Sequence, residues 1–228
     1  MENNKIKILV LGDSHGTEYW LNHDFSMFDK VISLGDWYDN WENDWTKVDQ
    51  IKNQERFLDL QRKEPDKYIM LMGNHSLHYL IPQEEYSGKQ VHKQWDIHDF
   101  LYQHRKEFRI AYQLKDYIFS HAGLSSRWME IMKIESVDKL NSCLWNGAEN
   151  LFAFYPWDTS MCGNSYNQGP LWIRPQALCE VPWRNYNQVV GHTSNKGNNG
   201  VAIFNMKNGK KLIVVDNQEH TAYLELEI

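Results

Sequence analysis

The sequence has few of the features that mark secreted, disulfide-bonded or membrane-spanning proteins. It contains three cysteines in 228 residues (Cys143, Cys162 and Cys179), without the close pairs that form zinc sites. We therefore expect free thiols in a reducing compartment. No apolar run approaches the length needed to cross a bilayer, and the short one near the N-terminus lacks the cleavage site of a signal peptide. These absences predict a soluble, cytoplasmic protein with no membrane partner.

An excess of positive charge is also absent. The formal net charge is −6, and acidic and basic residues are mixed along the chain. An extended nucleic-acid-binding surface needs a basic stripe, so we expect none. An anionic substrate is still compatible with this charge, because bound divalent cations reverse the sign of the local field.

Internal repeats and low-complexity linkers are lacking too. Two stretches rich in Gly, Asn and Ser, at 162–169 and 194–200, indicate surface loops rather than domain boundaries. The length suits one α/β domain, and the 42% of hydrophobic residues supplies a sizeable core. We predict a single domain over residues 1–228.

What the sequence does contain is a series of short apolar runs with one design. Each run is rich in β-forming residues and ends in glycine or in a polar residue. Runs that are apolar on both faces suit central strands of a sheet that is covered on both sides. Five such runs occur, at 5–12, 30–35, 68–73, 117–123 and 188–192.

The segments between and after these runs complete an α/β pattern. Helix-compatible segments cover 47–63, 91–107 and 125–140. Asn208 and Gly209 stand between two β-rich runs, which predicts a hairpin, and a further strand is expected at 221–228. The pattern favours an α/β domain whose mixed sheets carry functional loops at strand ends.

Side chains that bind metals follow the five runs, in the blocks GDSHG (12–16), GDWYDN (35–40), GNHS (73–76), SHAG (120–123) and GHT (191–193). Asp13 and His15 are two residues apart, so at an extended strand end they project to the same side and can hold one ion. Asp36 offers two carboxylate oxygens and can bridge two ions. The other candidate ligands are Asn74, His121 and His192. This mixture of carboxylate, imidazole and amide oxygen suits Mn²⁺, Fe or Zn²⁺ better than Ca²⁺.

Taken singly, each block has a simpler explanation, a turn for Gly-Asp or a buried core residue for histidine. Taken in order, the blocks resemble the D-x-H, GD-x-x-D, GNH, H and GH pattern of the calcineurin-like metallophosphoesterases, over nearly the whole chain. They are most similar to the bacterial and phage phosphoprotein phosphatases, and the symmetrical diadenosine tetraphosphatases share several of them.

This resemblance implies a fold and a dinuclear site. The expected fold is a four-layer α/β/β/α sandwich with mixed sheets. The expected cofactors are two divalent transition-metal ions, Mn foremost, with Fe, Zn and Ni also tolerated by the ligand set. The resemblance assigns Asp13, His15 and Asp36 to the first metal, and Asp36, Asn74, His121 and His192 to the second.

Two such ions can hold a bridging hydroxide that attacks phosphorus, and they polarise the phosphoryl oxygens. The leaving alkoxide then needs a proton, and His75, directly after Asn74, is the candidate general acid. Asp39 is the candidate partner that orients His75 and favours its charged form, as in the family's arrangement. A turn-stabilising carboxylate is the alternative for Asp39.

Phosphate binding is predicted for Asn74 and for Arg174. In the phosphoprotein phosphatases an arginine follows GD-x-x-D and an acid follows GNH, but this chain has Asn40 and Ser76 there. These departures argue against the usual protein-phosphatase substrate mode. Arg174 resembles an arginine that contacts substrate phosphate in related bacterial enzymes, with a surface ion pair as the alternative.

Aromatic residues cluster around the second and last blocks. Trp37 and Tyr38 lie inside a metal block and are the best candidates for a pocket wall that stacks a nucleobase, with packing under loops as the alternative. The remaining histidines are interpreted as solvated surface residues: His23, His78, His92, His98, His104 and His220.

The sequence thus predicts a metal-dependent phosphoester hydrolase that acts on phosphate monoesters of proteins or small molecules. A nucleotide or dinucleoside polyphosphate hydrolase, or a phosphodiesterase, on the same site is the alternative. An inactive scaffold of the same fold is a remote third reading, since every expected ligand and His75 are present.

Overall fold

The computed structural model describes residues 5–39, 49–81, 88–154 and 163–228. Asn40 and Cys162, discussed above, lie outside these ranges, as do Trp41, Trp45 and Trp157 of the aromatic clusters. Within the described ranges, no helix combines the length and the apolar composition required to cross a membrane.

The first sheet is built around three parallel strands. In spatial order it contains β3 (Tyr68–Met70), β2 (Lys30–Ser33), β1 (Lys7–Leu11) and β9 (Tyr223–Glu227). The first three are parallel, and β9 pairs antiparallel with β1. The sheet is therefore mixed, and the expected strands at 5–12, 30–35, 68–73 and 221–228 are all confirmed.

The second sheet has five strands in the order β4 (Ala111–Leu114), β5 (Tyr117–Ser120), β6 (Asn187–Val190), β8 (Lys211–Val215) and β7 (Val201–Asn205). Strands β5, β6 and β8 are parallel, whereas β4 and β7 are antiparallel edges. The predicted hairpin joins β7 to β8, and Gly209 takes the left-handed backbone that this turn requires, with φ of 81°.

The described part of the chain contains six α-helices between the strands: α1 (Gln50–Lys63), α2 (Asn74–Leu80), α3 (Gln94–His104), α4 (Ser126–Ile131), α5 (Val137–Trp145) and α6 (Pro175–Glu180). The segments 47–63 and 91–107 each contain one helix as expected, but the segment 125–140 contains two. Ser136 is the N-cap of α5, because its side chain accepts a hydrogen bond from the Lys139 amide, and a new helix therefore begins after it. Helix α2 begins inside the GNHS block, where only a strand end was expected.

Alternating side chains arrange these elements in four layers. Ile8, Val10 and Ile32 of the first sheet pack against Val189 and Ile213 of the second, so the sheets face each other. The residues between them in sequence point outwards: Leu9, Leu11 and Val31 pack with Phe57 of α1, and Leu212 and Val214 pack with Ala177 and Leu178 of α6. The result is the expected α/β/β/α sandwich.

The same edge of the sandwich receives the carboxyl ends of all six parallel strands. The His192 amide after β6 donates to Asp13 Oδ2 after β1 at 3.0 Å, and the His121 ring after β5 contacts the Leu34 carbonyl after β2 at 2.9 Å. Side chains delivered by different sheets therefore meet at this edge, where ligands bind in α/β folds.

Candidate active site

Five of the six predicted metal ligands are almost completely buried here, and His192 is half-buried beside them. Asp36 lies at the centre: its Oδ2 is 3.4 Å from His121 Nε2 and 3.8 Å from His15 Nε2. Among the described residues, three groups of side chains have ligand atoms within 4.8 Å of one another: Asp39–His75–His78, Asp13–Asp36–His121 and His15–Asp36–His75. The last two surround Asp36. Asp36 belongs to both, as a bridging carboxylate would.

Backbone carbonyls orient two of the buried imidazoles, those of His15 and His121. Nδ1 of His15 lies 2.8 Å from the Tyr38 carbonyl, and Nδ1 of His121 lies 2.9 Å from that of Leu34. A carbonyl only accepts, so Nδ1 carries the proton and Nε2 presents its lone pair to the cluster. Burial is the main cause that lowers the pKa of His15, to about 3, and it also lowers the pKa of His121. Both rings are therefore held in the neutral form that binds metals.

The side-chain oxygen of Asn74 faces the rings of two histidines. Its Oδ1 is 2.7 Å from His121 Nε2 and 3.0 Å from His192 Nδ1. Since His121 donates through Nδ1 to a carbonyl, its Nε2 and the Asn74 oxygen are two acceptors in contact. A cation between them would turn this repulsive contact into coordination.

Two buried polar atoms at the site also fit a cation. Among the described residues, neither Asp13 Oδ1 nor His192 Nε2 has a hydrogen-bond partner, although both atoms are buried. Burial raises the pKa of Asp13 well above its usual range, and the charges of Asp216 and Asp36 raise it further. A buried carboxylate beside other carboxylates is unfavourable unless a positive charge compensates it, which a divalent ion does.

A close approach of two chain segments sets the position of Asp36. Its φ is 47°, and Oδ1 accepts a hydrogen bond of 2.9 Å from the His75 amide. Gly73 passes directly against this carboxylate, and a Cβ at that position would clash with Oδ1. The glycine of the GNH block is thus required because the Asp36 carboxylate occupies the space of a side chain.

The predicted acid and its partner are also together. Nδ1 of His75 lies 2.8 Å from Asp39 Oδ2. Burial opposes protonation of His75, but the carboxylates of Asp36 and Asp39 outweigh it and raise the pKa of the ring. Burial likewise opposes ionisation of Asp39, yet hydrogen bonds from His75 and His78 lower its pKa to about 2. The pair therefore favours a charged imidazole beside an ionised carboxylate.

Asp216 is a buried carboxylate at the site that the sequence interpretation missed. It follows β8 directly, as Asp13 follows β1, and is 5% exposed. Burial is the main cause that raises its pKa to about 7, with the charge of Asp36 adding to the rise. The signal was present in the sequence, because the apolar run LIVV before Asp216 has the same design as the five runs analysed above.

Replacing Asp216 with asparagine is expected to stabilise the metal-free protein above neutral pH. Its pKa is raised on folding from an ordinary value of 3.8 to about 7. The wild type therefore loses stability as pH rises from about 4 to about 7, where the folded state must give up its extra proton. We expect the free energy of unfolding of Asp216→Asn to exceed that of the wild type by about 1–4 kcal/mol at pH 8 and to equal it at pH 4. Urea unfolding in EDTA at both pH values measures this. A stability difference between variant and wild type that is the same at both pH values would contradict this prediction.

Two of the histidines predicted to be solvated lie at the site instead. His78 is fully buried, and its Nε2 lies 2.6 Å from Asp39 Oδ2. His220, on the connection between β8 and β9, is half-buried with its ring 4.4 Å from the His15 ring. The prediction was wrong for His78, because contacts with residues far away in the chain bury it.

Arg174 lies at the edge of the ligand cluster. Its Nη1 donates to the His192 carbonyl at 2.9 Å and to Thr193 Oγ1 at 3.1 Å. Its positive charge opposes the rise in the pKa of Asp13 and adds to the fall in the pKa of His121 and His192. The side chain thus holds the loop that carries His192.

The aromatic wall was predicted wrongly. Trp37 and Tyr38 are buried beneath the site rather than lining it. The indole of Trp37 donates to Ser33 Oγ at 3.0 Å and packs against Trp20 and Phe57. Tyr38 donates to Gln54 Oε1 at 2.5 Å. These two side chains belong to the core between α1 and the first sheet, where their apolar rings are removed from water.

Carboxylates and neutral imidazoles that meet at the strand ends of a two-sheet α/β sandwich, with an imidazole–carboxylate pair beside them, define a metal-dependent hydrolase. The chain belongs to the calcineurin-like phosphoesterase family, whose sequence model matches residues 6–215. It is accordingly a metal-dependent phosphoester hydrolase. No curated protein sequence gives a significant match.

Solved structures with a similar fold include phosphatases. A cold-active protein-tyrosine phosphatase of a psychrophilic Shewanella species is 20% identical with a TM-score of 0.57, covering 94% of this chain and 72% of that one. A protein serine/threonine phosphatase from Saccharomyces cerevisiae is 18% identical with a TM-score of 0.57, covering 92% and 67%. At these identities the similarity concerns the fold.

Proposed function

We propose that the chain hydrolyses phosphate monoesters, of proteins or small molecules, at a site that holds two divalent transition-metal ions. The observation that supports this most is the buried His75–Asp39 pair beside Asp36, with Nδ1 of His75 2.8 Å from the Asp39 carboxylate. Hydrolysis of an ester needs a proton for the leaving oxygen, and this pair can supply one next to the ligand cluster.

In this proposal Asp13, His15 and Asp36 hold one ion, and Asp36, Asn74, His121 and His192 hold the other. Mn is our first choice of metal, with Fe, Zn and Ni compatible with the same mixed ligands. When bound, such ions lower the pKa of a water molecule and polarise phosphoryl oxygens. The single-domain organisation and the cytoplasmic location remain predictions.

The protein's own side chains supply the remaining functions. His75 donates the proton from Nε2 to the leaving oxygen, and Asp39 holds the ring in the required orientation through Nδ1. Asn74 and Arg174 contact the phosphate. A guanidinium near the His192 loop suits this role because its planar fork matches phosphate oxygens.

A nucleotide hydrolase was the alternative, and it was favoured by an aromatic wall of Trp37 and Tyr38 that the structure does not place at the site. Trp37 and Tyr38, the candidates for stacking a base, are 1% and 0% exposed. We therefore place nucleotides among the outcomes of the test.

The test is a substrate panel on protein whose metal content has been measured by elemental analysis. The panel contains phosphoserine and phosphotyrosine peptides, p-nitrophenyl phosphate, bis(p-nitrophenyl) phosphate, nucleoside triphosphates and dinucleoside polyphosphates. After loading with Mn²⁺ we expect kcat/KM for the best monoester to exceed that for every diester and nucleotide by about tenfold or more. EDTA-treated protein is the matched control and should be inactive. A preference for diesters or nucleotides would overturn the monoesterase proposal.

A further inference from the structure

Helix α2 places three side chains around a single carboxylate. His75 Nδ1 and His78 Nε2 both approach Asp39 Oδ2, at 2.8 and 2.6 Å, and the Tyr79 hydroxyl donates to Asp39 Oδ1 at 2.5 Å. Only His75 among these donors has a role in the proposed reaction. His78 and Tyr79 therefore need another explanation.

The burial of this group excludes a simple turn-stabilising role for Asp39. Asp39, His78 and Tyr79 are all 0% exposed. An ionised carboxylate in such surroundings is costly unless several donors satisfy it. A fully buried carboxylate with donors on both oxygens cannot rotate, so its lone pairs have fixed directions.

The spacing on the helix explains why two imidazoles reach the same oxygen. His75 and His78 are three residues apart and lie on one face of α2, with ring centroids 5.5 Å apart. Both rings therefore contact the same carboxylate oxygen from one face of the helix, His75 through Nδ1 and His78 through Nε2.

A backbone amide sets the direction of the hydrogen bond from Tyr79. The Gln90 amide donates to the Tyr79 oxygen at 2.9 Å, so the tyrosine's own proton is directed to Asp39. The Gln90 side chain in turn donates to Gln50 Oε1 at 2.6 Å. Helices α1 and α2 are therefore linked through buried hydrogen bonds that converge on Asp39.

We propose that His78 and Tyr79 are positioning residues for the reaction: they fix the Asp39 carboxylate, which in turn holds the His75 ring at the angle needed to protonate the leaving group. This inference rests on the proposed function of the site. It extends that function to two side chains that contact Asp39. These side chains act only on the protonation of the leaving group.

The test compares two aryl phosphates that differ in leaving group. The phenolate of phenyl phosphate is a poor leaving group that needs a proton, whereas p-nitrophenolate leaves well without one. General-acid assistance therefore matters far more for phenyl phosphate. For Tyr79→Phe and His78→Leu we expect kcat on phenyl phosphate to fall about tenfold or more, a part of the whole contribution of a general acid. For p-nitrophenyl phosphate kcat should change less than about twofold, with KM and metal content unchanged for both substrates.

Rescue and control variants separate positioning from damage to the fold. His78→Gln offers an amide donor near the place of Nε2 and should recover most of the activity on phenyl phosphate. His98→Leu, on the surface of α3, is the matched histidine control and should behave as the wild type. If His78→Leu does not fold, Tyr79→Phe, which removes one oxygen only, carries the test. Equal losses on both substrates, or no loss on either, would overturn the proposal.

A spectroscopic measurement keeps this inference separate from the proposed function. If wild-type protein with two bound metals hydrolyses neither aryl phosphate, the proposed function fails. In protein loaded with diamagnetic Zn²⁺, the low-field proton resonance of His75 Nδ1–H, assigned by its absence in His75→Gln, then tests the positioning by itself. We expect that resonance to shift or broaden in Tyr79→Phe and to be unchanged in His98→Leu. An unchanged resonance in Tyr79→Phe would overturn the role of Tyr79 as a positioning residue.

Discussion

Asp36→Asn is expected to release the bound metals and to abolish hydrolysis. Asp36 is the carboxylate shared by both ligand groups, and its Oδ2 lies within 3.8 Å of His15 Nε2 and His121 Nε2. Asparagine keeps the shape and the acceptor for the His75 amide, but it removes the negative charge between the two ions. Because a catalytic cation contributes several kcal/mol to the transition state, kcat/KM should fall by about 10³-fold or more.

The measurement is elemental analysis after gel filtration, together with activity on the best monoester. The wild type should retain two metals per chain, and the variant less than one. Asp138→Asn changes the same residue type at an exposed position in the first turn of α5, so it should retain both metals and full activity. Two tightly held metals in Asp36→Asn would refute the bridging assignment.

His75→Gln is expected to separate catalysis from metal binding. The ring of His75 is held by Asp39 and lies 5.0 Å from the ring of His15, but His75 is not among the proposed metal ligands. Glutamine can still donate a hydrogen bond to Asp39 through its side-chain amide, but it cannot serve as an acid. We expect turnover to fall by about 10²–10⁴-fold, the usual contribution of a general acid.

Metal content of His75→Gln should stay near that of the wild type, and its KM should change little. The pH profile supplies a second check. The pKa of His75 is raised by Asp36 and Asp39, so the wild type should lose activity as pH rises through that pKa, when the acid loses its proton. In His75→Gln this alkaline limb should be absent. A fully active variant would show that another group is the acid.

The strands were predictable because their signal is local. Each apolar run from Lys7–Leu11 to Asn187–Val190 is buried on both faces, so its composition differs from that of its flanks over several residues. Helix boundaries were less predictable. The segment 125–140 divides into α4 and α5, and Asn74 begins a helix, because capping and turn geometry decide such ends and periodicity does not.

The candidate ligands could be found from sequence because each lies within four residues of the end of a strand. His78 and His220 could not be placed in this way. Their neighbours in sequence are polar or mixed, and what buries them is Asp39 in one case and His15 in the other. Trp37 was misplaced for the related reason that proximity to a metal ligand in sequence does not decide which side of the strand end a side chain faces.

The sequence by itself determined the layered α/β class and the set of residue types that can bind two cations, because both depend on short, local patterns. Tertiary structure alone decided which donors meet. It brought Asp216 close to Asp13 and Asp36, directed three side chains of α2 to Asp39, and buried Trp37 and Tyr38 beneath the site. The physical reason is that hydrogen-bond partners and desolvation depend on contacts between residues far apart in the chain, and no local pattern of residues encodes those distances.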